Sequence, residues 1–356
     1  MNRMIDIPVG DALLGRVIDA TGAPLDNRGP IDATTQLPID RPVGADKVLL
    51  TDQLLETGIK VIDLFAPIVR GGTSTMTAMP GVGLIVISSE LIQRIAARHG
   101  GCAVIADLED GIYPLSDLVA DLRGGGVDRH VAIVAGRQDA TPAGKRQVAL
   151  AGLTLAEHFC AQGRETLLFL NQQLLTEQTI QRIQERRRGG TSGSLTLLIW
   201  QIRTPETIHE RALDQPLPLD GQIVFNRGLA KQSIWPAIDP VQSTSRLLDG
   251  QALGAEHVQL ARAAQELLRN YGDLEGTGAA SDDARLQARA RRVLLFGSQP
   301  FVVAETFTAR PGVYVPVAET LRGYGKLLAG KHDHVPEEAF RFVGGLEEAL
   351  GSSIFN

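Results

Sequence analysis

Residues 71–92 read GGTSTMTAMPGVGLIVISSELI, and this stretch decides the fold. It has the outline of a phosphate-binding loop, in which a strand runs into a glycine-rich turn that opens a helix. In the working pattern G-x-x-x-x-G-K-[ST], backbone N–H groups wrap the phosphates, the lysine neutralises their charge and the hydroxyl holds Mg²⁺. The eight positions here are Ala78, Met79, Pro80, Gly81, Val82, Gly83, Leu84 and Ile85. The second glycine is kept as Gly83, while the first is Ala78, the lysine is Leu84 and the Ser/Thr is Ile85. Pro80 also removes one backbone N–H from the cradle. Loop-like outline and apolar side chains together predict packing residues in a dry loop.

Working outward, short runs rich in Val, Ile and Leu alternate with helical patterns, as in a parallel sheet covered on both faces. Strands are expected at 103–106, 131–134, 166–170 and 195–199, with helices at 89–98, 115–122 and 145–159 between them. That order is a βαβ core. Beyond about residue 246 the pattern is helical alone; its clearest case is 256–271, where Leu260, Ala264, Leu267, Leu268 and Tyr271 fall on one face. The expected fold class is α/β: a P-loop NTPase-like parallel sheet with helices on both faces, followed by an all-α C-terminal domain. The corresponding division is 1–246 and 247–356. Residues 1–45, with turn signals at Gly22-Ala23-Pro24 and Arg28-Gly29-Pro30, read as short strands and tight turns leading in, and 275–283 as a loop.

The chain has 356 residues, 44% hydrophobic and 21% charged, enough to bury a sizeable core. A net charge of -6 without a basic stripe argues against nonspecific nucleic-acid binding. The densest basic cluster, 186–188, reads as a solvated helix end. Cys102 and Cys160 lie in apolar surroundings without CxxC spacing, as reduced core residues of a cytosolic protein do, and imply no metal site. No apolar run of about 18 residues and no signal-peptide pattern is found, so a membrane role would come through partners.

Five phrases then carry a resemblance. They are VGDALLGRVIDATGAPLDNRGPI (9–31), LLETGIKVIDLFAPIVRGG (54–72), IWPAIDPVQSTSRLLD (234–249), SQPFVVAETFT (298–308) and AGKHDHVPEEAFRFVG (329–344). In order and approximate spacing they resemble the β subunit of the F-type rotary ATP synthases, over nearly the whole chain. The resemblance implies a nucleotide-binding subunit that takes Mg·ATP and Mg·ADP and alternates with α-like subunits around a γ-like stalk. It also implies ATP synthesis or hydrolysis coupled to proton transport through a membrane rotor, with the subunit peripheral to the cytoplasmic face of the inner membrane.

Carried over residue by residue, the resemblance puts Asn171 where the family has an acid oriented to Mg²⁺. Aligned without gaps from Ala103, it puts Asp110 at the catalytic carboxylate and Gly111 at the arginine that follows, with Glu109 one position off. Phosphate-loop positions Gly81, Val82, Gly83, Leu84 and Ile85 match the family in outline only. The aromatic adenine pocket falls on Trp235 (a tyrosine in most relatives), Phe301 and Phe307. Arg246 is expected in structural contacts at a subunit interface, and His332 and His334, flanking Asp333, need no metal. A long family stretch after Asn171, with a stalk-contacting loop and an arginine near the γ-phosphate, has no counterpart. The rotor-contacting acidic loop is replaced by 275–283 and the N-terminal β-barrel is not represented, so torque transmission and ring assembly are expected to suffer. Three readings stay open: a catalytically impaired β-type subunit; an inactive structural or regulatory paralogue, or decaying gene product, that neither binds nor turns over ATP; and a stand-alone sensor of adenine nucleotides.

Overall fold

The computed structural model describes residues 5–40, 52–109, 113–186, 193–203, 217–274, 276 and 283–352. The leading segment holds β1 (Asp6–Val9), β2 (Val17–Ile18) and β3 (Thr35–Pro38), with β1 and β3 paired antiparallel. Its turns need glycine: Gly22 has φ 86°, and a Cβ there would meet Pro8 at 2.2 Å. Next come β4 (Leu54–Leu55), the buried helix α1 (Lys60–Phe65) and β5 (Ile68–Val69).

The α/β core follows as β6 (Thr73–Ala78), α2 (Leu84–His99), β7 (Cys102–Leu108), α3 (Leu115–Gly124), β8 (Val131–Gly136), α4 (Pro142–Ala161) and β9 (Glu165–Asn171). It continues through α5 (Glu177–Arg186), β10 (Ser194–Ile202), β11 (Gly221–Val224), α6 (Arg227–Lys231) and β12 (Thr244–Ser245). Eight strands form one sheet in the order β12-β11-β6-β10-β9-β7-β8-β2, parallel throughout except for β12. The strands and helices expected from periodicity are present, each one to five residues longer than the apolar run that signalled it at one or both ends.

Alternation along the strands explains the two layers. Ala103, Ile105, Leu167 and Phe169 join the core beneath α2 and α3, while Val104, Ala106, Leu168 and Leu170 join the opposite core beneath α4 and α5. Both faces are therefore dry, as a parallel sheet requires. β6 is the exception in composition: TSTMTA is buried at every position although four of its six residues carry hydroxyls. β-Branched threonine suits a strand, and Thr77 Oγ1 donates to Gln201 Oε1 of β10 at 2.9 Å.

The C-terminal helices are α7 (Ala255–Tyr271), α8 (Ala284–Phe296), α9 (Glu305–Thr308), α10 (Val317–Leu328) and α11 (Leu346–Ser352). On α7 the buried residues are His257, Ala261, Ala264 and Leu268, with Leu260, Leu267 and Tyr271 half-buried beside them, which is the face its periodicity marks. Residues 246–248 form a 3₁₀ turn, and the apolar core under α2 runs on across it to Leu295, Phe296, Tyr324 and Phe340. Helix α1 is the wedge between the two regions. Its Lys60 is wholly buried, with Nζ donating to Val343 O at 2.5 Å and Gly344 O at 3.0 Å and lying 4.1 Å from the Phe296 ring centroid. Of the expected loop 275–283, Gly276 and Asp283 are described, and Asp283 Oδ1 caps α8 by accepting from Leu286 N at 3.0 Å. Residues 187 and 188 of the basic cluster lie outside the described residues.

Candidate functional site

The site is built at the carboxyl ends of the parallel strands, where an open α/β sheet leaves a crevice. β6 ends at Ala78, in register with Ile202 of β10, and the chain turns through 79–83 into α2. Gly81 at φ 79° and Gly83 at φ 89° hold the left-handed conformations of that turn. Gly83 is also tight against Trp235, whose Cζ3 would stand 3.1 Å from an added Cβ. Helix α2 then closes on Gly100 at φ 58°, with Gly100 N donating to Ala96 O and Gly101 N to Ile95 O. The backbone of a phosphate loop is thus present, and its side chains are apolar. Leu84, at the lysine position, is 6% exposed and part of the core; Ile85, at the hydroxyl position, is half-buried against the same core.

This loop and the first turn of α2 border a cavity of about 790 Å³. Its aromatic walls come from Trp200, Trp235, Phe301 and Phe342, and its aliphatic lining includes Leu84, Ile85 and Ile202. Trp200 is fixed from behind, its Nε1 donating to Ser88 Oγ at 3.0 Å while that hydroxyl donates to Leu84 O at 2.9 Å. The pocket-facing segment after α8 is braced in turn: Gln299 N donates to Trp235 O at 2.9 Å, and Glu90 Oε2 accepts from Val303 N at 3.1 Å.

The sheet supplies one carboxylate that the motif reading passed over. Asp107, in β7, is 3% exposed and lines the cavity. Its Oδ1 accepts from Asn171 Nδ2 at 2.6 Å and from Leu108 N at 2.8 Å. Both of these bonds go to Oδ1, and no described residue donates to Oδ2. Burial pushes its carboxyl up to about 6, against the pull of the two donors. The signal available in the sequence was an acid set inside an otherwise apolar strand, AVIADL. Asn171 is fully buried at the end of β9, and its amide is committed on both sides: Nδ2 to Asp107, and Oδ1 accepting from Gln173 N at 2.9 Å. It faces a carboxylate as a donor, which an acid at 171 could not do without a proton.

Among the expected nucleotide contacts, Trp235 and Phe301 are brought together in the cavity wall, with Gly81 and Gly83 at its edge. Val82 is buried at 2% exposure and does not line it. Phe307 is displaced from the expected pocket: it stands 83% exposed on α9, while its neighbours Ala304 and Thr308 line the cavity. A four-residue helix shows successive side chains to different directions, and position 307 points outward. Asp110 and Gly111 lie outside the described residues, and Glu109 does not line the cavity. Tyr113, Asp121 and Arg310 complete the rim; Tyr113 donates its hydroxyl to Asp121 Oδ2 at 2.7 Å, and that carboxylate raises the phenol to about 12. Arg246 lies at the other end of the sheet, with Nε donating to Asp220 Oδ1 at 2.6 Å while Asp220 Oδ2 accepts from Thr73 N at 2.6 Å.

A magnesium nucleotide can be tested against these side chains. The base end fits, since aromatic faces suit a purine. The phosphate end does not. Charged groups lining the cavity, among the described residues, are Asp107, Asp121 and Arg310, and none lies on the phosphate loop. A polyphosphate would meet Leu84, Ile85 and a buried carboxylate where the motif needs a cation and a hydroxyl. Asn171 brings no charge, and each of its polar atoms already makes one hydrogen bond within the protein.

Residues 58–187 match the model of the ATP synthase alpha/beta family, nucleotide-binding domain. The matched segment runs from just before α1 past α5 and takes in the phosphate loop and strands β6 to β9. The segment is thus similar to the nucleotide-binding domain of the alpha/beta ATPases, a class to which the mostly parallel sheet and C-end crevice also point.

Proposed function

We propose that this chain is a β-type subunit of the F-type rotary ATPase lineage that has kept the fold and the base-sized end of the pocket and has given up phosphoryl transfer. The observation that carries the reading is the pair Asp107 and Asn171, set beside Leu84 and Ile85. Phosphoryl transfer depends on cations and Mg²⁺ that neutralise charge between the phosphates. Here the cation position is apolar, the metal-orienting acid is an amide spent on another side chain, and the remaining buried charge is negative.

On this reading the chain assembles beside α-like subunits around a γ-like stalk and is peripheral to the cytoplasmic face of the inner membrane. Its role in such a complex is structural or regulatory, and it meets the membrane only through a rotor sector. No helix among the described residues is long and apolar enough to cross a membrane.

The test is calorimetric titration of the purified chain with Mg·ATP and Mg·ADP, alone and with an α-type partner, together with phosphate release. The expected result is no binding tighter than about 100 µM, or roughly -5.5 kcal/mol, and no turnover. Tighter binding with turnover would return the chain to the working enzymes.

A further inference from the structure

A cavity of about 790 Å³ that has lost its phosphate partners is still the right size for a ligand, and its chemistry has changed rather than vanished. Its walls are aromatic and aliphatic, and its most buried charge is Asp107, with one carboxylate oxygen left without a protein donor among the described residues. A carboxylate on a buried side chain beside an apolar space is costly unless a donor or cation meets its remaining oxygen. Asp121 adds a second negative charge at the rim. Arg310, also on the rim, lies over the Phe342 ring with its guanidinium carbon 5.2 Å from the centroid.

We propose that this cavity binds a flat aromatic molecule carrying one protonated nitrogen, its ring against Trp235 and Phe301 and its N–H⁺ group on the open oxygen of Asp107. The proposal rests on the reading that the phosphate end has been given up. The aromatic faces offer stacking and attract a cationic ring. The carboxylate supplies the charge-assisted hydrogen bond that orients it. Asn171 is the positioning residue: by holding Oδ1 it fixes the carboxylate so that Oδ2 faces the ligand.

Three tricyclic probes that differ in charge test this on the full-length chain: 9-aminoacridine as the cation, acridine as the neutral ring and acridine-9-carboxylate as the anion. Titrated by fluorescence and calorimetry near neutral pH, the cation should bind about tenfold or more tighter than the neutral ring, and the anion should not bind. Asp107→Asn, which can keep both hydrogen bonds to Oδ1, should bring the cation down to the affinity of the neutral ring. Ile85→Trp, which fills the cavity from its half-buried edge, should weaken cation and neutral ring together, and thermal unfolding checks that both variants are folded. Equal affinity for cation and neutral ring, a cation preference that survives Asp107→Asn, or no binding of any probe to the folded chain would each overturn the proposal. A parallel Mg·ATP titration separates the two readings. Tight ATP binding overturns both, whereas absence of ATP and probe binding overturns only this one.

Discussion

Asn171 donates its amide to Asp107 across the sheet at 2.6 Å, joining the ends of two parallel strands through side chains that are both buried. The donor and the acceptor are complementary, so neither residue can be read alone. Asn171→Asp should place two carboxylates in contact and cost on the order of 2 kcal/mol of stability at neutral pH. Urea unfolding at neutral and acid pH checks this, because one proton shared by the pair should restore most of the loss. Equal destabilisation at both pH values would show that charge repulsion is not the cause.

Asp107 itself should impose a pH slope. Burial raises its carboxyl to about 6 from 3.8, so the folded chain holds the proton after the unfolded chain has released it. Stability therefore declines as pH rises through that window and levels off above it, a cost on the order of 3 kcal/mol. The slope should be missing from Asp107→Asn in urea unfolding measured at a series of pH values.

Lys60 acts in the opposite window. Burial lowers its ammonium to about 7, with Glu348 pulling the other way. Above that pH the folded chain has lost a proton that the unfolded chain keeps, so stability rises with pH. Relative to Lys60→Met, the wild type should gain up to about 1.4 kcal/mol per pH unit between about pH 7 and 10. Chemical unfolding of the two proteins across that range provides the comparison.

Glu90 and Arg94 form a buried ion pair one turn apart on α2, at 2.7 Å, and each also binds backbone outside the helix. Glu90→Gln should cost about 3 kcal/mol or more, because it leaves the guanidinium buried without its counter-charge. In a chain of this length that is a drop of about 4 °C in melting temperature; a shift under about 1 °C would mean that the contacts of Arg94 with Gly58 O and Val313 O suffice.

The double substitution Leu84→Lys with Ile85→Thr should not restore ATP turnover. The lysine would enter a position that is 6% exposed, and Asn171 would still be spent on Asp107. Phosphate release assayed with α-type partners present should stay at the level of the unmodified chain, and the variant should melt lower.

Much of the architecture was legible in the residues. Val104 to Ala106, Val131 to Val134 and Leu167 to Leu170 are apolar runs of strand length, and strands buried on both faces need that composition. The side of the sheet that each residue faces follows from its parity. β6 was harder: its threonines look solvent-facing until the strand is placed between β10 and β11. Of the residues expected at the site, Gly81, Gly83, Trp235 and Phe301 line the cavity, whereas a short helix turns Phe307 outward.

The amino-acid sequence by itself determined the α/β class, the helical C-terminal region, and the presence of Leu84 and Ile85 at the lysine and hydroxyl positions of the phosphate-loop pattern. These depend on local periodicity and on residue identity, which the order of residues states outright. Only the tertiary structure decided that Asp107 and Asn171 meet, that Asp107 lines the cavity, and that the apolar loop positions form one wall with aromatics far away in the chain. Residues 107 and 171 lie on neighbouring strands with a helix, a strand and a second helix between them in sequence. The register of the strand ladder sets their distance, and no local property of either segment carries it.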